Sequence, residues 1–289
     1  MGTQHNETKA QTSYTHPTLP DFSKPPVIEV ALAVQFDLLS SLQTPHIGIL
    51  WSNFRPTFPR VEQHPPRNSV IEKFGVRKPD KATVTFGMGI PVPRCWFLNE
   101  TGTELIQVQQ DCFVHNWRKG SEVDEYPHYR YIREKFELEL NTFRQFIRNE
   151  NLGEFIPNQC EVTYVNHIVS GEGWENHGQL DEVITVWSPH YSDDFLSKPE
   201  GVRFAVRYVI PDKTGAPLGR LHVSIEPGYR TIDEKPIFIL RLTARGRPDG
   251  EGSEGVFRFL DRGHEWIVRG FASITTQRMH KIWGRLDVP

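Results

Sequence analysis

The sequence predicts an α+β protein made of two similar halves joined in one domain. Three runs near the C-terminal end, residues 203–210, 219–226 and 236–245, alternate apolar with polar side chains. This is the period of strands that bury one face. Each half has the same order of elements, namely a strand, a short helical piece, three or more strands and a long amphipathic helix. This order favours one twisted antiparallel sheet with both long helices on the same face.

The composition is that of an ordinary globular protein, with 37% hydrophobic and 24% charged residues among 289. A net charge of −3 neither indicates nor excludes a nucleic-acid partner. The three cysteines, Cys95, Cys112 and Cys160, form no CxxC pair. We therefore expect a reducing, cytoplasmic setting with neither a disulfide framework nor a metal or other cofactor. No apolar run reaches the roughly 18 residues of a membrane span, and no signal pattern precedes the first strand.

The first half is assigned to residues 25–151, after a tail, residues 1–24, that is predicted to be disordered because it is polar, rich in proline and aperiodic. Thr44 and Pro45 predict the start of a short helix. Residues 60–81 contain three prolines and no clear period, which predicts a long surface loop. Alternating runs predict strands at residues 27–37, 82–86, 94–99, 104–109 and 112–118. An apolar stripe predicts a helix over residues 126–149, with Ile132, Phe136, Leu140, Phe143 and Ile147 on one side.

The second half is assigned to residues 152–289. A strand at residues 159–169 is followed, after a polar loop, by the three strands described above. Glycines and charged residues at 246–255 predict a flexible turn. A wide apolar arc then predicts one deeply packed helix over residues 256–283.

The order of elements resembles that of a TATA-box-binding-protein-like or helix-grip fold. In addition, PPVIEVALAVQF (residues 25–36), CWFLNETGTELIQVQQDCFVHNWR (95–118) and LDRGHEWIVRGFASITTQRMHKIWGR (260–285) resemble a sporadically distributed prokaryotic family of about this length. The resemblance implies a cytosolic, bacterial-type protein. It carries no activity, cofactor or catalytic residue, and the patchy distribution suggests a defence or conflict setting.

The candidate site is the sheet face opposite the helices. If alternation places Leu221, Val223 and Leu242 against the helices, the opposite face of the last three strands carries a cationic set: Arg203, Arg207, Arg220, His222, Arg241 and Arg245. Guanidinium groups bind carboxylates and phosphates through paired hydrogen bonds. This face could therefore hold an anionic ligand, a nucleic-acid strand or an acidic partner. Alternatively, these arginines pair with Glu226, Glu161 and other carboxylates as a solvated ladder.

Three hypotheses follow for function. The first is a non-enzymatic binding module that uses the arginine-bearing face, and the milder polarity of Glu29, Gln35, Gln107 and Gln109 in the first half favours binding over catalysis. The second is a hydrolase-like enzyme with a pocket between sheet and last helix around His264, Glu265 and His222. The third is a homo-oligomeric assembly protein, because 7 Trp and 18 Phe exceed what the core stripes accommodate.

Two further polar sets carry weaker signals. Ser188, His190 and Asp193 include the residue types of a hydrolase triad, but they lie within six residues and lack a nucleophile elbow. Asn166 lies in a strand that is otherwise apolar, where either a hydrogen-bonded core amide or a ligand contact is possible, and the core amide is favoured.

Overall fold

A computed structural model describes residues 19–75, 91–121, 123–193 and 195–286. These residues form an α+β fold with one antiparallel sheet of nine strands, in the order β2-β3-β4-β5-β1-β6-β9-β8-β7. The strands are β1 (Val27–Phe36), β2 (Arg60–His64), β3 (Arg94–Leu98), β4 (Glu104–Gln109), β5 (Cys112–Arg118), β6 (Pro157–Val169), β7 (Phe204–Pro211), β8 (Pro217–Tyr229) and β9 (Pro236–Gly246).

Two long helices cover one face of this sheet. The helices are α1 (Thr44–Phe54), α2 (His128–Asn149), α3 (Gly252–Ile274) and the short α4 (Gln277–Ile282), with one turn of 3-10 helix at Leu180–Glu182. Helix α2 packs on β5 and β1, whereas α3 packs on β6, β9 and β8. No helix among the described residues combines the length and the apolar content that a membrane crossing requires.

The alternation predicted for the last three strands is confirmed on the helix side. Leu221 and Val223 of β8 and Leu242 and Ala244 of β9 are buried beneath α3. On the edge strand β7 the pattern weakens, because Tyr208 is exposed although the sequence placed it with the core. No helix among the described residues packs on the opposite face of β8 and β9.

Two predictions for the first half need correction. Residues 60–81 were expected to be a loop, but residues 60–64 form β2, an edge strand that pairs with β3 from Arg60↔Leu98 to His64↔Arg94. The strand predicted at 82–86 lies outside the described residues. The predicted tail, residues 1–24, is ordered at its end, where Phe22 packs its ring edge-on against Phe271.

The last helix is broken where the sequence predicted one continuous helix. Thr275 is extended, and its isolated bridge with Ile184 is flanked by hydrogen bonds from Thr185 N to Ile274 O and from Thr276 N to Val183 O. Thr276 then starts α4, and its hydroxyl accepts a hydrogen bond from Met279 N. The apolar stripe continues across the break, since Met279 and Trp283 are both buried, and the break therefore has no counterpart in the apolar period.

Most of the phenylalanine residues, and Trp117, Trp174 and Trp283, are buried in the core. Phe143 of α2 contacts Phe36 of β1 and stacks on Phe113 of β5 at 4.9 Å between ring centroids. Trp174 is fully buried against Phe238. The aromatic count therefore no longer motivates an oligomer, and self-assembly stays a prediction.

We expect α3 to be sensitive to side-chain volume where it crosses the sheet. A Cβ atom added at Gly263 would lie 3.1 Å from Ala244 Cβ and 3.2 Å from a Val162 methyl group. Gly263→Val should therefore lower the free energy of unfolding by about 1–3 kcal/mol through overpacking. Gly48→Val in α1 is the matched control, because nothing lies within 4 Å of its added Cβ. Urea unfolding of both variants tests this, and equal stabilities would contradict the packing described.

Candidate functional site

The helix-free face of the sheet contains a cleft of about 530 Å³. Its floor is made of short side chains on the central strands, among them Ala31 and Ala33 of β1 and Thr163 of β6. Longer side chains stand on both sides, on β3 to β5 and on β9. Because these strands are hydrogen-bonded neighbours without a gap between them, the depression arises from the short side chains of the central strands and the longer side chains on either side.

The cleft is lined by five arginines and two glutamates. They are Arg67, Arg94, Arg118, Arg241 and Arg245, with Glu29 and Glu161. Such an excess of positive charge in a concave site favours anions. Two of the six residues that the sequence suggested, Arg241 and Arg245, lie here, whereas the centre of the cleft is displaced towards the first half of the chain.

Arg94 and Trp96 of β3 present hydrogen-bond donors without acceptors. Arg94 is only 8% exposed, and its guanidinium carbon lies 5.4 Å from the centroid of the Trp96 ring. Both Arg94 Nε and Trp96 Nε1 are buried without an acceptor among the described residues. Burial, followed by repulsion from Arg67, lowers the pKa of Arg94. Since a buried donor without a partner is costly, an acceptor that reaches these two groups would stabilise them.

Arg241 is exposed at the other side of the cleft and has no ion-pair partner within the described parts of the chain. Its neighbour Arg245 is different, because Arg245 Nε lies 2.5 Å from Glu161 Oε2. Arg118 donates from Nε to the carbonyl of Gly102 at 2.7 Å. Arg67, Arg94 and Arg241 are therefore the cleft arginines with neither an ion-pair partner nor a side-chain hydrogen bond among the described residues.

One irregular segment, residues 66–75, crosses the helix-free face, and we call it the strap. Its backbone is held by two glutamines of the sheet. Gln109 accepts from Arg67 N at 2.8 Å and donates to Arg67 O at 2.7 Å. Gln35 accepts from Val70 N at 3.0 Å and donates to Val70 O at 3.2 Å. Each glutamine side chain thus both accepts from and donates to the backbone of one strap residue, and these paired hydrogen bonds hold the strap in place as one wall of the cleft.

The strap carries a carboxylate into the cationic set that the sequence identified. Glu72 contacts Arg220 Nη1 and His222 Nε2, each at 2.5 Å, and lies 3.7 Å from Arg245 Nη1. Burial alone would raise the pKa of Glu72, but the hydrogen bonds from His222 and Arg220 and their charges lower it to about 2. Phe74 adds a ring beneath the Arg220 guanidinium at 4.2 Å.

The remaining predicted cations lie towards the β7 edge. Arg203 pairs loosely with Glu226 at 3.5 Å, and both are exposed. Arg207 faces His222 across the β7–β8 pair and has no ion-pair partner among the residues described. Four of the six predicted residues thus have carboxylate partners, as the ladder interpretation expected, whereas Arg207 and Arg241 do not.

The cysteine of the cleft is not a nucleophile. Burial, with added repulsion from Asp111 and Glu161, raises the pKa of Cys112 to about 12. Its thiol therefore stays protonated at neutral pH, and only the thiolate is strongly nucleophilic. The described residues also contain no group of three His, Cys, Asp or Glu side chains arranged to hold a metal ion.

The constellation suggested for a hydrolase is not formed. His264 is half-buried on the helix side, and His222 is paired with Glu72 on the opposite face of the sheet. Glu265 points away from His264 to pair with Arg269 at 2.9 Å. Alternation within β8 separates His222 from the helix side, a placement that residue type alone does not reveal.

The other two polar sets also take structural roles. Asp193 accepts a hydrogen bond from Phe195 N at 3.0 Å, while Ser188 contacts His190 on the exposed surface. Asn166 donates to the carbonyl of Leu240 at 3.1 Å, as expected of a core amide.

Arg67, Arg94 and Trp96 are the site residues that sequence reasoning missed. A signal for two of them was present, because alternation in residues 94–99 puts Arg94 and Trp96 on the same face as each other. Arg67 gave none, since it lies in an aperiodic segment. Models of known protein families give no match to this chain, and no curated protein sequence matches it either.

Glu72→Ala should release the strap and leave three cationic side chains without their shared partner. We expect a loss of about 1.5–3 kcal/mol in the free energy of unfolding, the range for charged hydrogen bonds, and faster amide exchange in residues 66–75. Glu134→Ala is the control, because its pair with Arg130 is exposed and should contribute roughly 0.3–0.5 kcal/mol. Equal losses in the two variants would show that the strap is not held by Glu72.

The stabilisation from Glu72 should depend on pH. Its folded-state pKa, about 2, is below the ordinary value of 4.5, so the contribution is complete above pH 4.5 and is lost as the pH falls towards 2. Urea unfolding of the parent and of Glu72→Ala between pH 2 and pH 7 measures this difference. A gap between the two that stays constant down to pH 2 would refute the assignment.

Proposed function

We propose that the protein is a non-enzymatic binding module that holds a small anionic ligand in the cleft of its helix-free face. The observation that carries the proposal is that Arg94 Nε and Trp96 Nε1 are buried without an acceptor among the described residues, across the cleft from the exposed Arg241. The ligand class is a phosphate or a carboxylate, because planar guanidinium groups bind these anions with two parallel hydrogen bonds.

Binding is favoured over catalysis by the chemistry of the lining. The cleft offers guanidinium, amide and hydroxyl groups together with the protonated thiol of Cys112. Glu161 is engaged by Arg245 and Glu29 accepts from Asn116 at 2.6 Å. Such groups recognise and orient an anion, whereas a general base needs a carboxylate or imidazole within reach of the reacting proton.

A small ligand is favoured over a nucleic-acid strand by the strap. Four hydrogen bonds from glutamine side chains to the backbone of Arg67 and Val70 hold the strap on the sheet face. A nucleic-acid strand would have to cross this same face. In addition, Glu72 already compensates Arg220 and His222. An extended acidic partner therefore meets a neutralised surface, whereas a compact anion fits beside the strap.

We also infer that the two halves of the chain are duplicates with a TATA-box-binding-protein-like or helix-grip arrangement. The sheet order supports this, since β5 and then β4 follow β1 on one side of the central pair, and β9 and then β8 follow β6 on the other side. The three free cysteines support a reducing, cytoplasmic setting.

Anion binding is tested by isothermal titration with inorganic phosphate, pyrophosphate and citrate at low salt. Arg241→Ala should weaken the tightest of these about ten- to a hundredfold, because a charged hydrogen bond contributes roughly 1.5–3 kcal/mol. Arg148→Ala, at an exposed position near the end of α2, is the control and should leave binding unchanged. No binding of any of the three anions, or equal binding by both variants, would count against the proposal.

Arg207→Ala distinguishes a compact ligand from an extended one. Arg207 lies on β7, beyond the strap contacts of His222, so it should not affect a small anion in the cleft. If a single-stranded oligonucleotide binds in a salt-dependent way, and Arg207→Ala weakens that binding as much as Arg241→Ala does, the extended partner is correct and the small-anion proposal is not.

A further inference from the structure

The helix side of the sheet contains a second pocket, unrelated to the cleft. It has a volume of about 360 Å³, which is at the lower end of the sizes of small-molecule sites. Its apolar walls include Phe22, Val27, Ile267, Val268 and Phe271. It lies where the segment before β1, the start of α2 and the middle of α3 meet above β1 and β6.

A chain of three hydrogen-bonding groups borders this pocket. Tyr126 Oη lies 2.7 Å from Tyr164 Oη, which lies 3.0 Å from His264 Nδ1. All three residues line the pocket. The imidazole is fixed by Tyr129, whose ring stacks on it at 3.9 Å and whose hydroxyl donates to Asp261 at 2.8 Å.

Each end of this chain retains hydrogen-bonding capacity. If Tyr126 donates to Tyr164 and Tyr164 donates to His264, then His264 Nε2 carries a proton and the Tyr126 oxygen keeps free lone pairs. If the protons run the other way, Tyr126 becomes the free donor and Nε2 the free acceptor. Both arrangements leave one donor and one acceptor, and neither atom has another partner within the described residues.

The polar end of the pocket is uncharged at neutral pH. Burial lowers the pKa of His264 to about 4, so its imidazole is neutral, and burial also raises the pKa of Tyr164. The pocket is lined by one acidic residue, Asp21, and one arginine, Arg130, and His128 packs on Tyr126. Because charges of both signs line the pocket and its polar end is neutral, an ionic ligand would lose its hydration without gaining a net opposite charge.

We propose that this pocket binds a neutral, mostly apolar small molecule carrying one hydroxyl or carbonyl group, which contacts the chain formed by Tyr126, Tyr164 and His264. A hydroxyl group both donates and accepts, so it can bind at either end of the chain whichever way the protons run. The apolar body of the ligand packs against Ile267, Val268 and Phe271 of α3.

Three probes of similar size test this inference: 4-ethylphenol, ethylbenzene and 4-ethylbenzoate. Binding is followed by chemical-shift changes in the amide NMR spectrum of the full chain. We expect 4-ethylphenol to bind roughly two- to tenfold more tightly than ethylbenzene, the net effect of one hydrogen bond, and 4-ethylbenzoate to bind most weakly. The shifts should centre on residues of β1 and α3 that line the pocket.

Variants at the two ends of the chain locate the effect. Either Tyr126→Phe or His264→Phe should remove the preference for 4-ethylphenol over ethylbenzene, whereas Tyr229→Phe, an exposed tyrosine on β8, should keep it. Val268→Phe fills the pocket from a partly exposed position and should abolish binding of both probes, which keeps the test valid if the two end variants fail to fold. Equal binding of 4-ethylphenol and ethylbenzene, tighter binding of 4-ethylbenzoate, or no binding of any probe would overturn the inference.

Discussion

The antiparallel pairing of β1 with β6 is the interaction on which the rest of the molecule depends. It joins strands from the two halves of the chain over the register from Val27↔Asn166 to Phe36↔Pro157. Because residues alternate between faces, the same pair supplies Leu32 and Val162 to the core and Ala31 to the floor of the cleft. Both candidate ligand sites therefore lie on this central pair, one on each side of the sheet.

The two faces are specialised by opposite means. On the helix side, large rings fill the space between sheet and helices, and the pocket lies beside the stacked rings of Tyr129 and His264. On the other side, alanine and threonine on the central strands leave room beside arginine and tryptophan on the outer strands. The interior is close-packed on the helix side, whereas a hollow remains on the other side, where the strap is the segment that covers the sheet among the described residues.

Much of this fold could be predicted from the sequence, because strands and helices are encoded by local periods. The alternation around Leu221 and Leu242 correctly separated the helix side from the open side, and Arg241 was found with it. The strap could not be predicted, since its anchors depend on residues distant in sequence. The break at Thr275 was hidden for a similar reason, because it is imposed by a bridge to Ile184 rather than by a helix-breaking residue.

The strap connects both halves of the chain. It is tied to Gln35 at a sequence separation of 35, to Gln159 at 87, and to Arg220 and His222 at 148 and 150. Bringing groups this distant together costs loop-closure entropy, which the strap contacts must offset. The wall of the cleft thus depends on residues from both halves of the chain, so a substitution in either half that displaces a strap anchor alters the shape of the site.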